Sequence, residues 1–136
     1  MLGLLENPSE KPSMYSPLTL AYMGDCVYEM YVRAHLLAKG NLSSNKLHRL
    51  ATHYVSAEAQ SAFMAVLEPT LTQEEEAVYK RGRNAKSSTV PKHAVLIDYK
   101  RATGLEALIG FLYLSGRQER MDEIMTLLFN QNTEEI

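Results

Sequence analysis

Apolar residues recur along the chain at the three- and four-residue spacing of helices, and the alternation typical of strands is missing. The spacing predicts an all-α fold of six helices. The predicted helices run from Pro17 to about Lys39, from Ser43 or Ser44 through Val55, from about Ser56 to Leu67, from Thr72 past Lys80, across the apolar run AVLIDYKRATGLEALIGFLYL, and through Met121 to Leu128.

Residues at the ends of these segments carry start and stop signals. Pro17 suits the first turn of a helix, and Gly40-Asn41 is a strong helix terminator. Ser43 or Ser44 can cap the second helix. Thr72 followed by Glu75 matches a capping box, with acidic residues in the first turn of a polar helix that we expect to be exposed.

The chain has 136 residues, of which 46% are hydrophobic, enough for one core and too short for two ordinary domains. We expect a loose N-terminal arm at residues 1–16, a helical domain at 17–131 and a C-terminal tail at 132–136. A single cysteine, Cys26, rules out an internal disulfide and favours a reducing compartment. With no 18-residue apolar run and no signal-peptide pattern, the sequence predicts a cytoplasmic protein without a membrane segment.

Two apolar helices carry acidic residues. In the first helix, Asp25, Glu29 and Arg33 stand four residues apart and form one polar stripe. In the fifth, Glu106 is the only acid between Tyr99 and Ser115. Carboxylates on two core helices suggest a convergent acidic site, and oxygen ligands of this kind suit Mg²⁺.

The same residues have structural interpretations. Glu29 and Arg33 stand in the favourable order for an ion pair one helical turn apart. Asp25 could instead be a core carboxylate that accepts a hydrogen bond from a Tyr or Thr. Spacing alone leaves both interpretations open.

Positive charge is concentrated after the fourth helix, although the net charge of the chain is −2. Seven of the 14 Lys and Arg residues lie between Lys80 and Arg101, opposed there only by Asp98. Such a segment can bind RNA phosphates and 2′-hydroxyls, or it can be a solvated helix end whose cations complement the helix dipole. The candidate RNA-binding residues are Lys80, Arg81, Arg83, Asn84, Lys86, Ser87 and Lys92.

Motifs for other chemistries are missing. The chain has no Gly-x-Ser-x-Gly elbow, no His-Glu-x-x-His pair and no glycine-rich phosphate loop. His48 and His53 are five residues apart on an amphipathic helix without a further ligand nearby in sequence, and we expect them at the surface.

Three segments in order resemble the catalytic domain of ribonuclease III. LAYMGDCVYE is similar to the first signature motif of that family, GLEALIGFLYL to its second, and KRGRNAKS at residues 80–87 to a segment of its bacterial Mini-ribonuclease III group. The resemblance runs from Leu18 to about Asn130. It implies the helical ribonuclease III fold.

The resemblance also implies an activity, namely hydrolysis of double-stranded RNA to 5′-phosphate and 3′-hydroxyl ends with Mg²⁺, or Mn²⁺ as a substitute. Asp25 and Glu106 fall on the catalytic, metal-binding acids of the two motifs. Ala21 and Thr103 stand where full-length enzymes carry two further acids, which leaves the number of bound ions open. Three residues are candidates for support of the site: Glu29, Arg33 and Thr103.

The resemblance further implies a homodimer, and a surface formed by Tyr22, Met23, Cys26 and Met30 is a plausible seam. Because the sequence ends soon after the last helix, we expect no separate double-stranded-RNA-binding domain, so affinity would have to come from the catalytic domain. The implied substrate is precursor ribosomal RNA of the large subunit, with a ribosomal protein as a possible helper.

Two other function classes stay open. The first is a non-catalytic RNA-binding protein with a ribonuclease III fold, which Ala21 and Thr103 favour and the retained Asp25 and Glu106 oppose. The second is a helical interaction module, in which two carboxylates on core helices would be an unexplained cost.

Overall fold

A computed structural model describes residues 7–86, 90, 92 and 95–131. These residues form six α-helices and two short 3₁₀ helices and contain no strand, so the all-α prediction is confirmed. Residues 1–6 of the expected arm and the whole expected tail lie outside the described residues. The helices are α1 (Pro17–Leu37), α2 (Ser44–Val55), α3 (Ala57–Leu67), α4 (Gln73–Asn84), α5 (Leu96–Leu114) and α6 (Gln118–Gln131), and the 3₁₀ helices are Pro12–Met14 and Glu68–Thr70.

Helix α5 forms the centre of the molecule. It is apolar around most of its circumference, as expected of a helix that is covered on several sides. Helices α1, α3 and α4 pack against it, and α2 and α6 complete the outer layer. No described helix combines the length and the hydropathy that a membrane crossing requires.

The capping predictions are confirmed at the starts of α2 and α4. The Ser43 side chain accepts a hydrogen bond from the backbone N–H of Lys46. At α4, the Glu75 backbone N–H donates to Thr72 Oγ1 at 3.2 Å, and the Thr72 N–H donates to Glu75 Oε1 at 3.0 Å. These side chains satisfy donors that the first turn of a helix leaves unpaired. Helix α1 begins at Pro17 as predicted and ends two residues before the predicted Lys39.

The expectation that α4 is exposed holds for only part of the helix, because one face of it is buried. Tyr79 is only 1% exposed, and Val78 is also buried. Two glycines let α4 approach α5 closely: a Cβ added at Gly82 would lie 2.7 Å from the Cβ of Ala107, and one added at Gly104 would lie 2.7 Å from the Tyr79 ring. This contact face is narrow and many residues of α4 are charged, so the apolar periodicity of the sequence does not reveal it.

Glu75 is a buried carboxylate whose charge is neutralised. Its side chain is 3% exposed, and Arg120 of α6 binds both of its oxygens, at 2.9 Å and 3.0 Å. Burial raises the pKa of Glu75, but the hydrogen bonds from Arg120 and from the Thr72 N–H outweigh it, so the pKa lies below its usual value. This pair ties α6 to the start of α4.

Helices α1 and α5 cross with their backbones in contact. A Cβ built at Gly24 would overlap the carbonyl oxygen of Glu106, and a Cβ built at Gly110 would overlap the carbonyl oxygen of Leu20. Only glycine fits at either position without a shift of a helix backbone. This crossing fixes the position of the N-terminal half of α1 on α5.

We expect Gly24→Ala to lower the free energy of unfolding by about 3 kcal/mol, because the added methyl group would force two helix backbones apart. Urea unfolding followed by circular dichroism measures this loss. Ala34→Gln, an exposed position on the same helix, is the control and should change the value by less than about 0.5 kcal/mol. Equal stability of Gly24→Ala and the wild type would contradict the tight crossing.

Candidate active site

The α1–α5 crossing places two carboxylates side by side. Asp25 follows Gly24 on α1, and Gly24 touches the backbone of Glu106 on α5. The side chains of Asp25 and Glu106 are within hydrogen-bonding contact. Asp25 is exposed, whereas Glu106 is half-buried. The predicted convergence of these two residues is therefore present in the structure.

Glu106 lies in surroundings that disfavour its ionised form. Burial raises the pKa of Glu106 to about 8, and the negative charge of the neighbouring Asp25 contributes in the same direction. Among the described residues, no Lys or Arg forms an ion pair with either carboxylate. The site therefore has the oxygen donors and the uncompensated negative charge that a hard divalent cation would bind.

One residue of the site was missed by the sequence analysis. Gln60 of α3 is buried, and its Nε2 donates to Glu106 Oε2 at 3.5 Å. A signal was available, because Gln60 is the polar member of an apolar helix face that continues with Phe63, Met64 and Leu67. Such a residue is also compatible with an ordinary buried hydrogen bond, so its partner could not be identified without the fold.

The structural interpretation of Glu29 and Arg33 is confirmed, since Arg33 Nη2 lies 2.9 Å from Glu29 Oε1. The interpretation of Asp25 as a buried core carboxylate was wrong, because the polar stripe of α1 faces outward. Thr103 Oγ1 donates to the Tyr99 carbonyl at 3.0 Å. Support of the site by Glu29, Arg33 and Thr103 stays a prediction.

The metal-ligand set is small. Within the described ranges, no group of three or more His, Cys, Asp or Glu side chains is arranged to hold a metal ion. Ala21, at one of the two positions where an acid is missing, is buried beside α5. Any cation at this site would therefore bind through few protein oxygens and keep several waters.

Two residues of the predicted RNA-binding set already have partners in the chain. Lys80 Nζ lies 2.9 Å from Glu76 Oε1. The Arg81 guanidinium donates to the carbonyl oxygens of Ser13 and Tyr15, both at 3.4 Å. Arg81 therefore holds the segment that precedes α1, which the sequence did not predict.

The remaining basic residues differ in exposure. Arg83 is half-buried, lies over the Tyr79 ring at 5.6 Å and donates from Nε to Asn84 Oδ1 at 3.2 Å. Lys86 is exposed. The Tyr79 ring itself is buried in the core.

The basic end of α4 packs against the helix that carries Glu106. Gly82 contacts Ala107, which is adjacent to Glu106 on α5. Lys92 is exposed, and Ser87 lies outside the described residues. The basic end of α4 and Glu106 are therefore carried by two helices that pack closely together.

The predicted seam of α1 is largely solvent-exposed. Tyr22 is 84% exposed and Met30 46% exposed, and Cys26 between them is also exposed. Met23 is the exception, since it is half-buried against the core.

His48 and His53 of α2, which were predicted to lie at the surface, are exposed.

Comparison with known proteins identifies the family. The Ribonuclease III domain family matches residues 18–117. Mini-ribonuclease 3 of Brevibacillus brevis is 51% identical over 124 residues, covering 91% of this chain and 92% of that protein. Mini-ribonuclease 3 of Enterococcus faecalis is 50% identical over 110 residues, covering 79% and 83% of the two chains.

A solved structure agrees with this assignment. The crystal structure of a Fusobacterium nucleatum protein is similar with a TM-score of 0.81 at 30% sequence identity and covers 90% of this chain and 98% of its own. The match includes the helices that carry both carboxylates and the basic segment. The chain therefore belongs to the Mini-ribonuclease 3 group of the ribonuclease III family.

Proposed function

We propose that the chain is a metal-dependent endoribonuclease that hydrolyses phosphodiester bonds of double-stranded RNA and leaves 5′-phosphate and 3′-hydroxyl ends. The observation that carries the proposal is the contact between the carboxyl groups of Asp25 and Glu106 at a glycine-mediated helix crossing. Membership in the ribonuclease III family supports the endoribonuclease activity. The choice of double-stranded RNA rests on that resemblance.

The chemistry of the donor set fits Mg²⁺, with Mn²⁺ as a substitute, and Asp25 and Glu106 would hold the ion directly or through water. When bound, the ion lowers the pKa of a coordinated water and neutralises charge on the phosphate oxygens. Asp25 is exposed, so an ion held by the two carboxyl groups would be accessible to RNA. No protein nucleophile is required.

The basic end of α4 would position the RNA. Lys86 and Lys92 are exposed, and Arg83 and Asn84 lie next to them in sequence. Phosphate contacts from these residues fix the orientation of a duplex without reading its sequence. Gly82 packs this end of α4 against α5, the helix that also carries Glu106.

A non-catalytic RNA-binding protein with this fold is the second candidate. It is favoured by the small acid set, since Ala21 and Thr103 provide no carboxylate and no cluster of three metal-ligating side chains occurs in the described ranges. A cleavage assay separates the two candidates. RNA that is bound but intact in the presence of Mg²⁺ would favour the second.

We also propose that two copies associate through the exposed apolar stripe of α1, formed by Leu18, Tyr22, Cys26 and Met30. These side chains recur at intervals of four on one helix face and are exposed. Apolar stripes of this kind are commonly buried in symmetric dimers. Sedimentation equilibrium at micromolar concentration measures the mass, and a monomer would contradict this part of the proposal.

The biological substrate we propose is large-subunit precursor ribosomal RNA, cleaved in the cytoplasm, with a ribosomal protein as a possible helper. These points rest on the resemblance to Mini-ribonuclease III. Incubation of the chain with that precursor and with an unrelated duplex, each with and without ribosomal proteins, compares the rates. Equal rates on both RNAs under all conditions would contradict the specificity.

We expect Asp25→Asn and Glu106→Gln each to slow cleavage by about a hundredfold to a thousandfold or more, because each removes a charged group on which ion binding depends. A denaturing gel of a long duplex incubated with Mg²⁺ or EDTA measures the rate. Circular dichroism and RNA binding should stay near wild type.

Asp122→Asn is the matched control, since Asp122 is an exposed acid on α6 that accepts a hydrogen bond from Tyr31. It should cleave at the wild-type rate. If Asp25→Asn loses helicity along with activity, its role is structural and the proposed site is wrong.

The raised pKa of Glu106 predicts a pH-dependent stability. The ordinary pKa is 4.5 and the folded value is about 8, so between these values the folded state holds a proton that the unfolded state has lost. The stabilising contribution is present below pH 4.5 and is lost as the pH rises through 8.

We therefore expect Glu106→Gln to be more stable than wild type in EDTA, with an advantage that grows by about 1–3 kcal/mol from pH 5 to pH 8. Urea unfolding across this range measures it. Mg²⁺ should recover part of the wild-type stability at pH 8 and should not affect the variant. A constant difference across the pH range would contradict the raised pKa of Glu106.

We expect Lys86→Ala to weaken RNA binding and to lower the slope of log affinity against log salt by about one ion, because an exposed lysine on a phosphate releases one counterion. Lys39→Ala, two residues after the end of α1, is the control and should leave the slope unchanged. Filter binding at several salt concentrations measures both. An unchanged slope for Lys86→Ala would remove this residue from the RNA interface.

A further inference from the structure

Helix α3 buries an amide side chain in its apolar face. Gln60 is 1% exposed and is followed on the same face by Phe63, Met64 and Leu67, which are exposed by 4% or less. An amide in such surroundings is unfavourable unless both of its ends form hydrogen bonds. The partners of Gln60 therefore indicate why the residue is there.

Only one end of the Gln60 amide has a partner. Its Nε2 donates to Glu106 Oε2 at 3.5 Å, while Gln60 Oε1 is buried without a hydrogen-bond partner among the described residues. The NH₂ group is the end that faces Glu106, where it donates to a carboxyl oxygen. A half-satisfied amide stabilises a core less than an apolar side chain of the same size, so stability alone does not account for Gln60.

The length of this hydrogen bond is compatible with a role in the site. Hydrogen bonds between site residues are often long before substrate binds and tighten in the complex. An amide also differs from a Lys or Arg at the same place. It can orient the carboxylate without neutralising its charge, and so it does not compete with a cation.

We propose that Gln60 is a positioning residue of the acidic site: its amide donates to Glu106 Oε2 and holds the carboxylate so that the other oxygen stays available to the divalent cation shared with Asp25. This inference rests on the proposed function, because it requires that Glu106 binds a cation. Gln60 is on α3, and the cation-binding acids are on α1 and α5. Three helices would then build the site.

The test measures the affinity of the purified full chain for Mn²⁺, from the paramagnetic resonance signal of free Mn²⁺ at one pH. Gln60→Met keeps the size of the side chain and removes its amide. We expect it to weaken Mn²⁺ binding by about tenfold or more, the effect typical of residues that orient metal ligands. Its unfolding midpoint in EDTA should equal or exceed that of the wild type.

Ser61→Ala is the matched control, since Ser61 is the neighbouring buried polar residue of α3 at 3% exposure. It should leave Mn²⁺ affinity within about twofold of wild type, well short of the change expected for loss of a positioning residue. Gln60→Asn keeps the amide but shortens the side chain, so it should weaken Mn²⁺ binding as Gln60→Met does. It replaces Gln60→Met in the test if Gln60→Met does not fold. Raising the Mn²⁺ concentration should restore RNA cleavage by Gln60→Met, which a purely structural defect would not allow.

Wild-type Mn²⁺ affinity in both Gln60 variants, together with its loss in Glu106→Gln, would overturn the inference and leave the proposed function intact. Weakened binding without recovery of cleavage at high Mn²⁺ would also overturn it. If Glu106→Gln binds Mn²⁺ as the wild type does, the acidic site does not hold the cation, and both the proposed function and the role of Gln60 fail.

Discussion

The contact between the backbones of α1 and α5 is the constraint on which the site depends. Gly24 and Gly110 have no room for a side chain, and the carbonyl oxygen of Glu106 occupies the space that a Cβ at Gly24 would need. Asp25 is adjacent to that contact, so the separation of the two carboxylates is set by the helix backbones rather than by flexible side chains. A site positioned in this way is preorganised before any ligand binds, which favours catalysis over simple binding.

Holding two acids close together is electrostatically unfavourable, and a buried acid elsewhere in the fold, Glu75, avoids this penalty. Glu75 is more deeply buried than Glu106, yet Arg120 binds both of its oxygens and its pKa is lowered. Glu106 has no such partner among the described residues, so burial, together with the charge of Asp25, raises its pKa to about 8. The same small domain thus contains one neutralised acid and one that is not. A buried acid without a neutralising partner destabilises the fold, and such residues are typical of functional sites. A divalent cation can neutralise the acid, whereas selection for stability alone would replace it.

Features fixed by local chemistry could be predicted from the sequence. Pro17, Ser43 and the Thr72–Glu75 capping box mark helix starts because their effects act within one turn. The approach of Asp25 to Glu106 was predicted from acids that interrupt apolar runs. The buried face of α4 and the hydrogen-bond partner of Gln60 were not predicted. Both depend on which helices pack against each other in the folded chain. Gly82 and Gly104 look alike as helix-weakening residues in sequence, and only the packed structure shows that both allow close contact between α4 and α5.

The two glycine contacts on α5 together explain how a chain of this size could act on a large substrate. One contact brings α1 and its acids to α5, and the other brings the basic end of α4 to the adjacent part of the same helix. Acidic and basic groups are then held on one rigid element without long loops. Lys80 is engaged by Glu76, and Arg81 by the segment before α1, so at least two of the seven basic residues between Lys80 and Arg101 already have partners in the chain. Because affinity for RNA grows with the number of phosphates contacted, a second copy would add contacts to the same duplex. The exposed apolar stripe beside Asp25 offers a surface for that association.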